Sequence, residues 1–286
     1  MATHGNRRTP GQAGQPPPGN RRAPDEHRLT PDERLARVAA VASGAAELVP
    51  DPRRPRGWTL LVNGVPQSYV DLADPEHLEF PYVRQIARGL RAWARSAVPE
   101  SVLHLGGGGL TVPRLVARWW PGAAQVVVEL DADLVTMVTR ELPPERPPEI
   151  VVGDAREAVE RAGTGRYDVI VADVFAGAAM PEHLGTVEFV TQLRRVLRPG
   201  GLLIMNVTDV PPMAFTRIQV ATVAAAFADV GLLGDQAVLR GRRAGNVIVF
   251  AGRVPPLRTS RDERLLREGE LVVFSGGARP RMDAKR

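Results

Sequence analysis

Hydrophobic and polar positions along this chain predict short strands separated by helices. Apolar runs typical of buried strands are followed by segments with apolar residues at helical spacing. The predicted strands cover 101–105, 125–129, 149–152, 168–172 and 201–207. The predicted helices cover 111–119, 131–140, 155–161, 186–197 and 215–229. This alternation predicts an α/β fold with a doubly wound, mostly parallel sheet.

A small β-hairpin subdomain is predicted at residues 58–80, before this sheet. Two apolar runs, Trp58–Val62 and Val65–Val70, flank the dipeptide Asn63-Gly64. Asn-Gly between apolar runs is a strong signal for a tight hairpin turn. Pro66 places the second run at the edge of its sheet, because proline cannot donate to a strand ladder.

The main domain is predicted over residues 81–252. An amphipathic helix over 79–95 leads into it, with apolar residues at helical spacing. The domain is expected to close with an antiparallel hairpin of Gln236–Leu239 and Val247–Ala251. We therefore expect one nucleotide-binding type of α/β domain with appendages at both ends.

The two ends differ from the body in composition. Residues 1–50 are predicted as a disordered, basic tail, because the first thirty residues are rich in Pro, Gly, Gln and Arg. A helix is predicted over 31–48, where a proline in the first turn precedes spaced apolar residues. Residues 253–286 are predicted as a basic C-terminal extension.

Composition and charge exclude several classes of protein. The 286 residues include no cysteine, which excludes disulfides, zinc–thiolate sites and thiol nucleophiles. No cluster of potential metal ligands is visible, so we expect no metal site. No apolar run is long enough to span a bilayer, so we expect no membrane partner and a cytoplasmic location. The net charge of +5 belongs to the ends: 1–57 and 253–286 each carry +4, whereas 58–252 carries −3. We therefore expect no nucleic-acid partner.

The candidate chemistry lies where the predicted parallel strands end. The first strand runs into the glycine cluster Gly106–Gly109, and the second ends in Glu129. Asp154 follows the third strand, and Asp173 ends the fourth. Ligands of doubly wound sheets bind at these strand ends. Glycines there allow the backbone to approach the ligand, and an acid can accept hydrogen bonds from the ribose hydroxyl groups. The pattern predicts a nucleoside-binding site, although Asp154 also has the position of a helix N-cap.

From residue 58 to about residue 252 the chain resembles the spermidine synthases, which are polyamine aminopropyltransferases. The resemblance rests on Gln67 in the hairpin, on the glycine turn and on the strand ends. The matching strand-end segments are Glu129-Leu-Asp131, Gly153-Asp154-Ala155 and Tyr167–Asp173. It implies a methyltransferase-like fold and transfer of an aminopropyl group from decarboxylated S-adenosylmethionine to an amine.

The resemblance also implies roles for residues of the donor site. Gly106, Gly107 and Gly108 form the turn beside the nucleoside. Glu129 holds the ribose, and Gln67 contacts the nucleoside. The decarboxylated donor, or S-adenosylmethionine itself, is a co-substrate, and no tightly bound cofactor is implied.

Three further positions complete the implied site. Asp154 and Ala155 contact the adenine, and Asp173 is the catalytic residue that accepts the amine proton. The partner is a small-molecule amine, and the hairpin subdomain is consistent with a homodimer. His183, in the loop after Asp173, is a further candidate because that loop could close over the acceptor.

Three positions depart from the family pattern. Gly109 and Ala176 stand where the family enzymes carry acids, and Tyr82 is not followed by the family's His and Glu. These departures concern the polyamine half of the site, so the acceptor is expected to be altered. Two alternatives stay open: an S-adenosylmethionine-dependent methyltransferase on the same scaffold, and a non-catalytic nucleoside-binding protein.

Overall fold

Two sheets and their flanking helices make up the protein. The computed structural model describes residues 1–2, 36–175 and 179–284. They form a four-stranded antiparallel sheet and an eight-stranded mixed sheet. The predicted α/β class is confirmed. Every helix among the described residues is too short or too polar to cross a membrane.

The small sheet contains the predicted hairpin and two additional strands. Its strands, in spatial order, are β1 (Arg37–Val41), β2 (Gly44–Pro50), β3 (Gly57–Val62) and β4 (Val65–Asp71). All neighbouring pairs are antiparallel. The strand β4, which contains Pro66, lies at an edge of this sheet, as predicted.

The helix predicted over 31–48 is wrong wherever the structure describes it, because β1 and β2 occupy this region. Along β2, the buried residues Ala46 and Leu48 alternate with more exposed neighbours. This period of two is typical of a half-buried strand. Pairing with β3 and burial against the main domain outweigh the weak helical spacing of Val38 and Val41. The expected disorder of the tail concerns residues that lie mostly outside the described ranges.

The large sheet forms the body of the protein. Its strands are β5 (Ser101–Leu105), β6 (Ala124–Glu129), β7 (Glu149–Val152), β8 (Tyr167–Ala172), β9 (Leu197–Asp209), β10 (Val230–Asp235), β11 (Gly245–Gly252) and β12 (Glu263–Arg267). Their spatial order is β12-β10-β11-β9-β8-β5-β6-β7. The five strands from β9 to β7 are parallel, and the other three are antiparallel. These five parallel strands are the ones that the sequence predicts.

Helices cover both faces of the large sheet. They are α1 (Pro81–Trp93), α2 (Thr111–Trp119), α3 (Ala132–Glu141), α4 (Ala155–Arg161), α5 (Val187–Val196), α6 (Ala214–Ala226), α7 (Gln236–Leu239) and α8 (Glu268–Ser275). The core on one face joins α1 and α2 to the sheet. The core on the other face joins α4, α5, α6 and α8. Both faces of the parallel strands are therefore buried.

Two predictions near the C-terminus need correction. Residues 236–239 form the short helix α7 rather than a strand, because Asp235 caps them by accepting hydrogen bonds from Ala237 N and Val238 N. Instead, β11 pairs antiparallel with β10 on one side and with β9 on the other. Residues 253–286, predicted as a separate extension, supply β12 to the large sheet and α8 to its core. The body therefore continues well beyond residue 252.

Asp131 joins the small sheet to the main domain. It caps α3 by accepting a hydrogen bond from Leu134 N at 3.0 Å. Its carboxylate also accepts hydrogen bonds from Ser43 N at 2.9 Å, from Ser43 Oγ at 2.8 Å and from Ala42 N at 3.2 Å, in the turn between β1 and β2. Burial alone would raise the pKa of Asp131, but these hydrogen bonds hold it below its ordinary value.

Replacing Asp131 with alanine is expected to destabilise the fold by about 2–4 kcal/mol, because the helix cap and the hairpin anchor are both lost. Chemical denaturation at pH 7 measures the effect. Asp133→Ala is the matched control, since Asp133 is exposed in the first turn of the same helix. The folded-state pKa of Asp131 is lowered, so its stabilisation is present above the unfolded pKa and is lost as the pH falls. Equal effects for the two variants would contradict this role.

Candidate active site

The predicted strand ends meet at the point where the order of the parallel strands reverses. From β5 the chain continues outward through β6 and β7, then returns to place β8 on the other side of β5. Such a switch point opens a crevice at the carboxyl ends of the strands, which is where ligands of these folds bind. The glycine turn after β5 and Asp173 after β8 follow the two adjacent strands at this switch point.

The glycine turn packs directly on the backbone of Asp173. Asp173 N donates a hydrogen bond to Leu105 O at 2.8 Å. A Cβ atom on Gly106 would lie 2.2 Å from the carbonyl oxygen of Asp173, and Gly106 has a φ of +89°. Both the conformation and the close approach therefore require glycine at this position.

Glu129 holds the same turn from the neighbouring strand. Its Oε2 accepts hydrogen bonds from Gly107 N at 2.7 Å and from Gly108 N at 3.3 Å. Its Oε1 accepts one from Asp131 N at 3.1 Å. A carboxylate offers about four acceptor positions, so Glu129 keeps capacity for the hydroxyl groups of a ligand. The predicted ribose acid thus lies against the predicted glycine turn.

Asp154 lies at the end of the next strand, as its position in the sequence predicts. Gly153 N donates a hydrogen bond to Glu129 O at 2.9 Å, which joins this strand end to the previous one. Asp154 caps α4 by accepting hydrogen bonds from Arg156 N at 2.8 Å and from Glu157 N at 3.2 Å. Ala155 is the buried first residue of that helix. The N-cap interpretation of Asp154 is therefore confirmed.

His183 contacts Asp154 from the loop that follows Asp173. Its Nε2 lies 2.8 Å from Oδ2 of Asp154. Burial raises the pKa of Asp154, but the bond to His183 and the helix-capping bonds together hold it below its ordinary value. His183 thus attaches its part of the loop to the residue that caps α4.

Asp173 belongs to a hydrogen-bonded network at the centre of the crevice. Its Oδ1 accepts a hydrogen bond from Asn206 Nδ2 at 2.8 Å. The amide oxygen of Asn206 in turn accepts one from Asn246 Nδ2 at 3.1 Å, and Asn246 Nδ2 also donates to Thr208 Oγ1 at 2.7 Å. The chain of amides fixes the orientation of Asp173 from β9, whose end the sequence also places at this site, and from β11, which it does not.

Tyr82 is the second partner of Asp173. The two side chains form a hydrogen bond, with Tyr82 near the start of α1. Desolvation raises the pKa of Asp173 above its ordinary value, and the bonds from Asn206 and Tyr82 only partly oppose this effect. Burial, followed by the charge of Asp173, also raises the pKa of Tyr82, which keeps the hydroxyl protonated and able to donate. A carboxylate with a raised pKa is suited to accept a proton.

The small sheet closes the crevice beside the fourth glycine. The register between β3 and β4 shifts, so that Gln67 lies unpaired between Pro66 and Ser68 in a β-bulge. Ser68 Oγ then accepts a hydrogen bond from Gly109 N at 3.0 Å. Gln67 is thus placed next to the residue that contacts the glycine turn. The predicted positions on five strands therefore gather at one edge of the large sheet.

Gly109 has no space for the acid that the resemblance places there. A Cβ atom on Gly109 would lie 2.9 Å from Cβ of Ser68 and 3.1 Å from Cγ2 of Val70. Any larger residue would have to displace β4, which is buried at Val70. The strand β4 thus occupies the space that a side chain at position 109 would need. The second departure, Ala176, lies outside the described residues.

Three residues of the site are not assigned a role from the sequence. Tyr82, Ser68 and Asn246 contact the turn or the network around Asp173, yet each comes from an element far away along the chain. A polar residue in a strand that is otherwise apolar is the only signal that could have indicated Asn246. For Tyr82, the signal is its position beside Pro81, at the end of the helix that faces the crevice.

Comparisons with known proteins identify the family. The family model for the spermine/spermidine synthase domain matches residues 82–225 of this chain. The chain belongs to the spermine/spermidine synthase domain family. The crystal structure of a probable spermidine synthase from Corynebacterium glutamicum is similar over 88% of this chain and 98% of that one, with 32% identity and a TM-score of 0.81. The fold expected from the resemblance is confirmed.

Curated relatives are similar over a shorter region. A polyamine aminopropyltransferase of Vibrio vulnificus is 34% identical over 143 residues, which is 49% of this chain and 46% of that protein. One from Chromobacterium violaceum is 30% identical over 149 residues, covering 49% of this chain and 53% of that protein. The chain thus spans about half the length of these curated relatives.

Proposed function

We propose that this member of the spermine/spermidine synthase family transfers an aminopropyl group from decarboxylated S-adenosylmethionine to a small amine. The observation that carries the proposal is the position of Asp173. A carboxylate with a raised pKa lies against the backbone of a glycine turn that an acid of the next strand holds in place. The names of the similar proteins support the same activity.

The donor half of the site is the more complete half. Glu129 accepts hydrogen bonds from the ribose hydroxyl groups. It uses the acceptor capacity that remains beside its bonds to the backbone. Asp154 and Ala155 lie on the adenine side, and Gln67 contacts the nucleoside from the bulge in β4. The donor arrives as a co-substrate and leaves as methylthioadenosine.

Asp173 drives the chemical step by removing the proton from the acceptor. The protonated amine transfers a proton to the carboxylate, and its nitrogen lone pair then attacks the methylene carbon bound to the sulfonium. The new C–N bond forms as the C–S bond breaks, and its electron pair leaves with sulfur as a neutral thioether. Tyr82 and Asn206 orient the carboxylate, which keeps the reacting atoms aligned.

The acceptor half favours an amine with fewer positive charges than the usual polyamine. Close packing of Ser68 against Gly109 leaves no space for one of the family's acids. Each lost charge-assisted contact weakens binding by roughly 1.5–3 kcal/mol. Phe175, just after Asp173, offers apolar contact to such an acceptor. Monoamines and amines with one apolar end are therefore the acceptors to test first.

Calorimetric titration and product analysis together test the proposal. The full chain is titrated with methylthioadenosine, S-adenosylmethionine and the decarboxylated form, and each donor is then incubated with mono-, di- and triamines. Aminopropylated amine together with methylthioadenosine supports the proposal. Methylated amine would replace it with the methyltransferase alternative, and binding without any product would replace it with the non-catalytic one.

Replacing Glu129 with alanine is expected to weaken methylthioadenosine binding more than tenfold, because the acceptor for the ribose and the anchor of the glycine turn are both lost. Calorimetry measures the dissociation constants. Glu149→Ala is the matched control, since Glu149 is exposed at the opposite end of the adjacent strand. Glu129→Gln separates the two tasks of the side chain, because the amide oxygen can still accept from Gly107 N. Unchanged affinity in both Glu129 variants would contradict the ribose assignment.

A further inference from the structure

A cavity of about 240 Å³ lies beside α2, and its lining includes neither Glu129 nor Asp173. Its walls come from the end of the small sheet, from the C-terminal half of α2 and from the segment between α3 and β7. Pro75, Pro121, Pro143 and Pro144 form part of these walls. Proline has little conformational freedom, so the shape of the cavity is largely preformed.

Arg114 lines this cavity as a buried cation without a counter-ion. The residue is only 8% exposed. Its Nε donates to Gly109 O at 3.3 Å, and its Nη2 donates to Leu142 O. Neither partner is an acid, and no carboxylate among the described residues forms an ion pair with it. Burial lowers the pKa of Arg114 to about 10, as expected for a charge with no compensating neighbour.

Three further arginines line the same cavity. Arg118 comes no closer than 3.9 Å to its nearest acid, Glu76, and Arg146 donates only to Pro121 O at 3.2 Å. The guanidinium of Arg56 has no hydrogen bond or ion pair with any described residue. The cavity therefore holds four cationic side chains with weak or no ionic partners.

Acidic residues of the cavity wall do not neutralise these arginines. Asp71 accepts a hydrogen bond at 2.5 Å from Arg54, which is not part of the cavity wall. It also accepts one from Ala73 N in the turn that follows β4. Glu145 is exposed. With four arginines against two acids, one of them already paired, the cavity carries an excess of positive charge. Arginine clusters of this kind recognise phosphate through bidentate hydrogen bonds.

We propose that this cavity binds a small multivalent oxyanion of the phosphate class. Its volume admits inorganic phosphate, pyrophosphate or the phosphate group of a small metabolite. Arg114 forms the buried floor of the site, and Arg56, Arg118 and Arg146 surround the anion from three different segments. The bound anion supplies the counter-charge that Arg114 lacks.

Pyrophosphate and inorganic phosphate are the probes, titrated into the full chain by calorimetry at constant ionic strength. We expect saturable binding of pyrophosphate that Arg118→Ala and Arg146→Ala each weaken at least about fivefold. Arg118→Lys should retain more affinity than Arg118→Ala. Arg114 also holds Gly109, so the test relies on Arg118 and Arg146.

Arg161→Ala is the matched control. Arg161 is an exposed arginine on α4 that pairs with Glu157, and it should leave pyrophosphate binding unchanged. Absence of saturable binding in the wild-type protein would overturn the proposal, as would equal weakening by Arg161→Ala. The measurement requires no turnover, so its result is independent of whether the chain transfers aminopropyl groups.

Discussion

Replacing Asp173 with asparagine is expected to slow aminopropyl transfer by about 10²–10⁴-fold. Asparagine keeps the shape of the side chain and can still bond to Asn206, but it cannot accept the proton of the amine. The glycine turn and Glu129 are unchanged, so the affinity for methylthioadenosine should change by less than about threefold. Steady-state kinetics with saturating donor measure kcat, and calorimetry measures the affinity.

Tyr82→Phe provides a second test of the same carboxylate. Tyr82 lowers the pKa of Asp173 by donating a hydrogen bond to its ionised form, against the larger effect of desolvation. Removing that hydroxyl should raise the pKa of Asp173 further, so the acid limb of the pH–kcat profile should move to higher pH. Tyr167→Phe is the matched control, since Tyr167 begins β8 at the end of the strand opposite to Asp173. For the first variant, Asp173→Asn, turnover near the wild-type rate would show that another group accepts the proton.

The parallel half of the fold follows from the sequence because its signals are local. Strands β5 to β8 are short apolar runs, and the helices between them have clear amphipathic spacing and caps such as Asp154. The N-terminal strands β1 and β2 lack such signals. Their residues are mainly small and aliphatic, and they become strands by pairing with β3 and packing on α3. Tertiary pairing of this kind is invisible to a local pattern.

The residues of the candidate site likewise fall into those that the sequence can place and those that only the fold reveals. Glu129, Asp154 and Asp173 can be placed together from the sequence because the carboxyl ends of parallel strands meet at one edge. Tyr82 and Ser68 reach that edge from α1 and from the small sheet, and no spacing relates them to Asp173 or to Gly109. The absence of an acid at position 109 is visible in the sequence, but its structural counterpart, the approach of β4, is visible only in the fold.

Gly106→Ala is expected to disrupt both stability and turnover, because this glycine sets the distance between the glycine turn and Asp173. The new methyl group would lie 2.2 Å from the carbonyl oxygen of Asp173, and the φ of +89° disfavours any side chain. Neither strand can easily move, since Asp173 N is bonded to Leu105 O at 2.8 Å. We expect a loss of roughly 2–4 kcal/mol in unfolding free energy. Because the turn and Asp173 would move apart, turnover should fall at least about 100-fold.

Gly163→Ala shows whether this loss is specific. Gly163 follows α4 in open space, with no atom within 4 Å of an added Cβ, so the change should alter stability by less than about 1 kcal/mol. Denaturant unfolding and kcat are measured for both variants. If Gly106→Ala matched Gly163→Ala in both measurements, the turn would not depend on the backbone of Asp173, and the proton acceptor and the donor turn could not form one rigid site. If only catalysis fell, the shift would be confined to the crevice and would place Gly106 among the positioning residues.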